Sequence, residues 1–133
     1  MRLTRLGILV LVLSLVTACA SAPAKAVRSE FEDIPVPKGL TYQQDRSTLI
    51  ESPTVKAARL VYRGRLELAS LATAMRSTLE ANGWRHVSST TTGPQGTTQV
   101  YEKAGSSLEV RLWEEWWYTY VQLTASRATQ PAK

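Results

Sequence analysis

Leu68-Ala69-Ser70-Leu71-Ala72-Thr73-Ala74-Met75-Arg76-Ser77-Thr78-Leu79-Glu80-Ala81-Asn82-Gly83-Trp84 is the stretch that decides the fold. Leu68, Leu71, Ala72, Met75 and Leu79 recur three and four residues apart, which places them on one stripe of a helix. The spacing predicts a helix from about Leu66 to Asn82. Arg65, Glu67, Arg76 and Glu80 fall largely off the stripe and read as its solvated side. Asn82-Gly83 is the stop signal. With Gly83 in the left-handed conformation, Trp84 falls where a Schellman motif makes its apolar contact, against Leu79. Met75 on this stripe reads as core filling.

On both sides of the helix the period changes to two. Thr48-Leu49-Ile50-Glu51 is a weak strand stopped by Pro53. Lys56 to Arg63 is stronger, with Ala58, Leu60 and Tyr62 on one face and Arg59, Val61 and Arg63 on the other. After the helix, strands are expected at Trp84 to Ser89, Thr98 to Lys103, Ser107 to Trp113 and Trp117 to Thr124. Gly93-Pro94-Gln95-Gly96 and Ala104-Gly105-Ser106 mark turns between them, and Glu114-Glu115 marks the last bend. Short links favour antiparallel pairing. The expectation is an α+β two-layer domain, one helix packed on an antiparallel sheet of about five or six strands in the order β-β-α-β-β-β-β. The domain is placed at residues 45–125 and a loose tail at residues 126–133.

The chain begins with Arg2 and Arg5, then an apolar run from Leu6 to Val16, then small residues. That is the layout of an export signal. The run is 11 residues, and a membrane-spanning helix needs about 20. Leu15-Val16-Thr17-Ala18-Cys19 resembles the lipobox of bacterial lipoproteins: an aliphatic residue, two small residues, then Cys. The resemblance implies cleavage between Ala18 and Cys19, lipid on the Cys19 thiol and acylation of the new amino terminus. Residues 1–18 are then a lipoprotein signal peptide, and residues 19–44 are the lipidated Cys and a tether. Ala20 to Lys38 is rich in Ala, Ser and Pro and has no helical or strand period, although Ile34 and Val36 are candidates for docking on the domain. Ala20 rather than Asp after the Cys favours the outer membrane, facing the periplasm, in a source with two membranes. Cys19 is the one Cys of the chain, so an internal disulfide is excluded.

Asp33-Ile34-Pro35-Val36-Pro37, Leu60-Val61-Tyr62-Arg63-Gly64, the Met75 helix closing in Gly83-Trp84, and Tyr101-Glu102-Lys103 are similar to a group of small, largely uncharacterised bacterial envelope lipoproteins. These motifs are structural. They imply a fold and a place in the cell envelope, and they are silent on activity.

Charge and motifs narrow the function. The net charge is +5, and Arg2 and Arg5 supply two of it. The remainder is too mild for a nucleic-acid footprint. His86 is the one His, and it shares a strand face with Trp84 and Ser88. No metal-ligand spacing, phosphate loop or nucleophile elbow is present, so no metal, no cofactor and no enzyme activity is expected. The unusual feature is Trp113-Glu114-Glu115-Trp116-Trp117-Tyr118-Thr119-Tyr120, which holds three of the four Trp. With the helix on the Leu108/Val110/Leu112 face, Arg111, Trp113, Tyr118 and Tyr120 look outward, joined by Arg59 and Arg63. Cross-strand aromatic packing accounts for such residues, and so does a contact surface. The contact reading has two versions: a lipid-anchored module for an envelope protein or a second copy, and a module for cell-wall glycan or lipid.

Overall fold

The computed structural model describes Phe31 and residues 33–128. The Ala18–Cys19 cleavage site, the signal peptide and the start of the tether lie outside the described residues. The elements are β1 (Thr41–Tyr42), β2 (Thr48–Glu51), β3 (Val55–Gly64), α1 (Leu68–Ala81), β4 (Arg85–Thr91), β5 (Thr97–Lys103), β6 (Ser106–Glu115) and β7 (Tyr118–Ala128). They form a seven-stranded sheet in the order β1-β3-β7-β6-β5-β4, with β2 sharing the edge of β3 with β1. Every pairing is antiparallel. The fold is the expected α+β two-layer arrangement, with one more short strand before the helix.

Alternation gives the sheet an inner and an outer face. Leu60, Tyr62, Tyr101, Leu108, Val110, Leu112, Val121 and Leu123 line the inner face and are buried against Leu71, Met75 and Leu79 of α1. Glu67 caps the helix start, its carboxylate accepting from the amides of Ala69 (2.9 Å) and Ser70 (2.7 Å). Hydrogen bonding from Ser70, then from those amides, holds the Glu67 carboxyl below its usual range. At the other end Gly83 has φ +84, Trp84 N–H donates to Leu79 O at 3.0 Å, and Gly83 N–H donates to Glu80 O at 3.1 Å. Those are the two bonds of a Schellman motif. Between layers, the Tyr101 hydroxyl donates to Gln99 Oε1 (2.8 Å), and Gln99 Nε2 donates to Ala72 O (3.1 Å). Burial pushes the Tyr101 phenol up to about 12.

Two boundaries differ from expectation. Phe31 and Ile34 are buried in the core, and Val36 and Leu40 pack against it. Arg127, on the inner face of β7, lies over the Phe31 ring at 4.8 Å and binds both oxygens of Asp33 at 2.6 and 2.7 Å. At the far end of this segment the Gly39 carbonyl approaches β3 so closely that a β-carbon on Gly64 would sit 2.5 Å from it. So the chain from Phe31 to Leu40 covers part of the inner face beside α1, and β1 follows it. The stretch read as tether up to residue 44 belongs to the domain from Phe31 onward. The reason is apolar burial: one 14-residue helix is too narrow to cover six paired strands. At the other terminus β7 continues to Ala128, paired with Val55, so the tail does not start at residue 126; residues 129–133 lie outside the described residues.

Candidate functional site: the hairpin end of the outer face

β6 and β7 pair from Ser106↔Arg127 to Glu115↔Tyr118, which leaves Trp116-Trp117 as a two-residue turn. The bend expected at Glu114-Glu115 is therefore two residues further on. Both glutamates belong to β6, because the alternation of Leu108, Val110 and Leu112 simply continues. Trp116 has φ +59, a conformation that glycine adopts at no steric cost and that the first position of a two-residue hairpin turn favours. Trp116 is 89% and Trp117 81% exposed.

Behind the tip the outer face is layered with aromatics and arginines. Trp113 and Tyr120 are cross-strand partners and stack at 5.4 Å, 13° from parallel. The segment Gln43–Ser47, between β1 and β2, bulges over them. Val61 N–H donates to Ser47 Oγ (3.0 Å), and Gln43 N–H donates to Val61 O (2.8 Å), which secures the bulge to the edge of β3. Its 3-10 turn brings the Arg46 guanidinium over the Tyr120 ring at 4.8 Å and onto Glu115 at 3.4 Å. That hydrogen bond, then the Tyr120 oxygen, raises the Arg46 pKa above its ordinary value. Arg59 donates to the Arg46 carbonyl (3.2 Å). Arg63 and Arg65 lie on the Tyr118 ring at 4.6 and 5.4 Å, and Arg111 lies on Trp113 at 5.7 Å. Guanidinium on an exposed ring contributes about 0.5–1 kcal/mol.

All six residues singled out in the sequence, Arg59, Arg63, Arg111, Trp113, Tyr118 and Tyr120, fall on the outer face. They are not equal. Tyr120 is only 6% exposed and Trp113 is half-buried against it, so these two work as cross-strand packing. The accessible aromatics are Trp116, Trp117 and part of Tyr118. Trp116, Trp117, Arg46 and Arg65 were outside the expected set. The signal was present: extending the β6 and β7 alternations toward each other leaves only Trp116-Trp117 between them. An open cleft of about 400 Å³ lies at this end, between Arg65 and Leu66 on one side and Glu114, Trp116, Trp117 and Tyr118 on the other.

The charges around the tip are unbalanced. Among the described residues, Arg63, Arg65 and Arg111 form no ion pair. His86 sits elsewhere, on β4, its Nε2 2.8 Å from Ser89 Oγ and its ring edge on Tyr101. Among the described residues no group of three or more His, Cys, Asp or Glu is placed to hold a metal, and no helix is long and apolar enough to cross a membrane. No family model matches the chain, and no curated protein and no solved structure matches it.

Proposed function

We propose that this chain is a non-catalytic binding module of the cell envelope, anchored through lipid on Cys19, with the hairpin end of the outer face as its contact surface. The observation that carries the contact surface is the exposed Trp116-Trp117 turn set beside Arg63, Arg65 and Arg111, which have no carboxylate partners among the described residues. Exposed aromatics combined with arginine are the side chains that dominate binding energy at interfaces. The anchor is supported by the Val16-Thr17-Ala18-Cys19 pattern after a short apolar run.

The partner on this reading is an envelope protein or a second copy of the chain. Trp116→Ser with Trp117→Ser should keep the fold and lose chemical cross-links to envelope partners; a folded double variant that keeps every cross-link contradicts the assignment. A second reading, cell-wall glycan, is favoured by the cleft, where Trp rings sit near Arg65 and Glu114. Sedimentation with purified peptidoglycan tests it, and absence from the pellet removes it. The anchor is tested separately: labelled palmitate should enter the wild type and not Cys19→Ser.

A further inference from the structure

We infer that the hairpin end is an interfacial anchor that lays the outer face on an anionic phospholipid surface; this rests on reading that end as the contact surface. Three observations point to lipid. The two Trp rings extend from a two-residue turn at 89% and 81% exposure, on the rim of the open cleft at this end. Exposed Trp at a hairpin end suits a planar interface, since Trp is the side chain enriched at the headgroup level of bilayers. Next, the arginines lie one layer behind the tip on a single face: Arg63 and Arg65 on Tyr118, Arg111 on Trp113. When the Trp rings enter the interface, these guanidinium groups come to the depth of the phosphates, which supply the anions missing from the protein.

The third observation is the turn itself. Trp116 holds φ +59, where an L side chain is strained and glycine is not. A hairpin turn needs a positive φ there but not a Trp: Ala104 holds φ +46 in the opposite turn, so what folding leaves unexplained is the large, 89% exposed ring at this position. The acidic groups fix the orientation. Glu115 is engaged by Arg46, and Glu114 follows Leu108, Val110 and Leu112 onto the inner-face side. Glu109, on the outer face beside Arg111, lies further from the tip and is outnumbered there by Arg63, Arg65 and Arg111. The outer face is thus the cationic one, and it faces the lipid.

The test uses the full chain in vesicles of phosphatidylethanolamine with brominated phosphatidylglycerol. Bromine quenches Trp only at short range. Wild-type emission should shift to shorter wavelength and be quenched, and Trp116→Ser with Trp117→Ser should remove the quenchable part and leave Trp84 and Trp113 emitting. Arg63→Gln and Arg65→Gln should each weaken tip partitioning about fivefold, and added salt should act in the same direction. Equal quenching of wild type and the double Trp variant, or quenching indifferent to lipid charge, overturns the inference. If vesicles leave Trp116 and Trp117 open to acrylamide while peptidoglycan or a cross-linked partner shields them, the lipid occupant is wrong and the contact surface stands. If nothing shields them, both fail.

Discussion

The two ends of the sheet are built from the same strands by different rules. At one end β5 and β6 are joined by Ala104-Gly105, with φ +46 and +76, the pair of positive values that the tightest right-twisted hairpin turn requires. The charges there are matched: Lys56 with Glu51 at 3.3 Å, Arg127 with Asp33, and Arg85 with Glu102. At the other end the turn is Trp116-Trp117, and three arginines lie on aromatic rings and form no ion pair among the described residues. Both turns hold an L residue at positive φ, Ala104 at one end and Trp116 at the other, as a two-residue hairpin turn requires. Only the second adds exposed apolar surface and unpaired arginines, and folding requires neither. That difference locates the contact surface better than the aromatic content of the outer face, since Trp113 and Tyr120 are spent on each other.

Substitutions can break or sharpen this contrast. The largest effect is expected from Tyr120→Ala, which empties a buried site under Trp113 and Arg46. It should lower unfolding free energy by about 3 kcal/mol, whereas Trp116→Ser and Trp117→Ser should each change it by less than about 0.5 kcal/mol. Urea denaturation checks both, and a tip variant as costly as Tyr120→Ala would erase the distinction. The body supplies an alkaline reference. The Tyr101 phenol is raised by burial to about 12 from 10.0. Its contribution is therefore fully present below pH 10 and is lost as the pH rises through about 12. Stability should fall across that window by at most about 1.4 kcal/mol per pH unit. Tyr101→Phe should flatten the slope, and the tip variants should leave it unchanged.

Smaller effects follow at the two ends. Trp116→Gly should stabilise the hairpin by up to about 1 kcal/mol while removing half of the tip's aromatic surface. A rise in Tm together with weaker binding is the expected pair, and a fall in Tm contradicts the strain argument. Asp33→Asn should cost under about 1 kcal/mol, because this ion pair is more than half exposed on the Asp side. Hydrogen exchange should speed up at residues 33–40 and leave residues 113–120 as they were.

How much of this was legible depends on whether a local pattern or a distant partner decides the conformation. The helix was legible because the stripe and the Gly83 stop act within a few residues, whereas its start lies two residues beyond the expected Leu66, since Glu67, taken as part of the helix's solvated side, is its cap. β3 and β6 were read because one buried face forces alternation. β1 was not: two residues, Thr41 and Tyr42, form a strand only because Arg63 and Tyr62 present an unpaired edge. The docking of Phe31 depends on Arg127, far along the chain. Within the site, Arg111, Trp113, Tyr118 and Tyr120 follow from parity. Arg46 does not, because it reaches Tyr120 from a bulge between two short strands. The Trp116-Trp117 turn was hidden by composition, since neither residue is a turn former, and Glu114-Glu115 drew the bend toward itself.

The most direct measurement is hydrogen–deuterium exchange on the full chain in isolated cell envelopes, compared with the same chain released in detergent. The account predicts protection confined to residues 63–65 and 113–120, with the Ala104-Gly105 end exchanging alike in both states. Protection centred on Ala104-Gly105, or none at the Trp116-Trp117 turn, would contradict it.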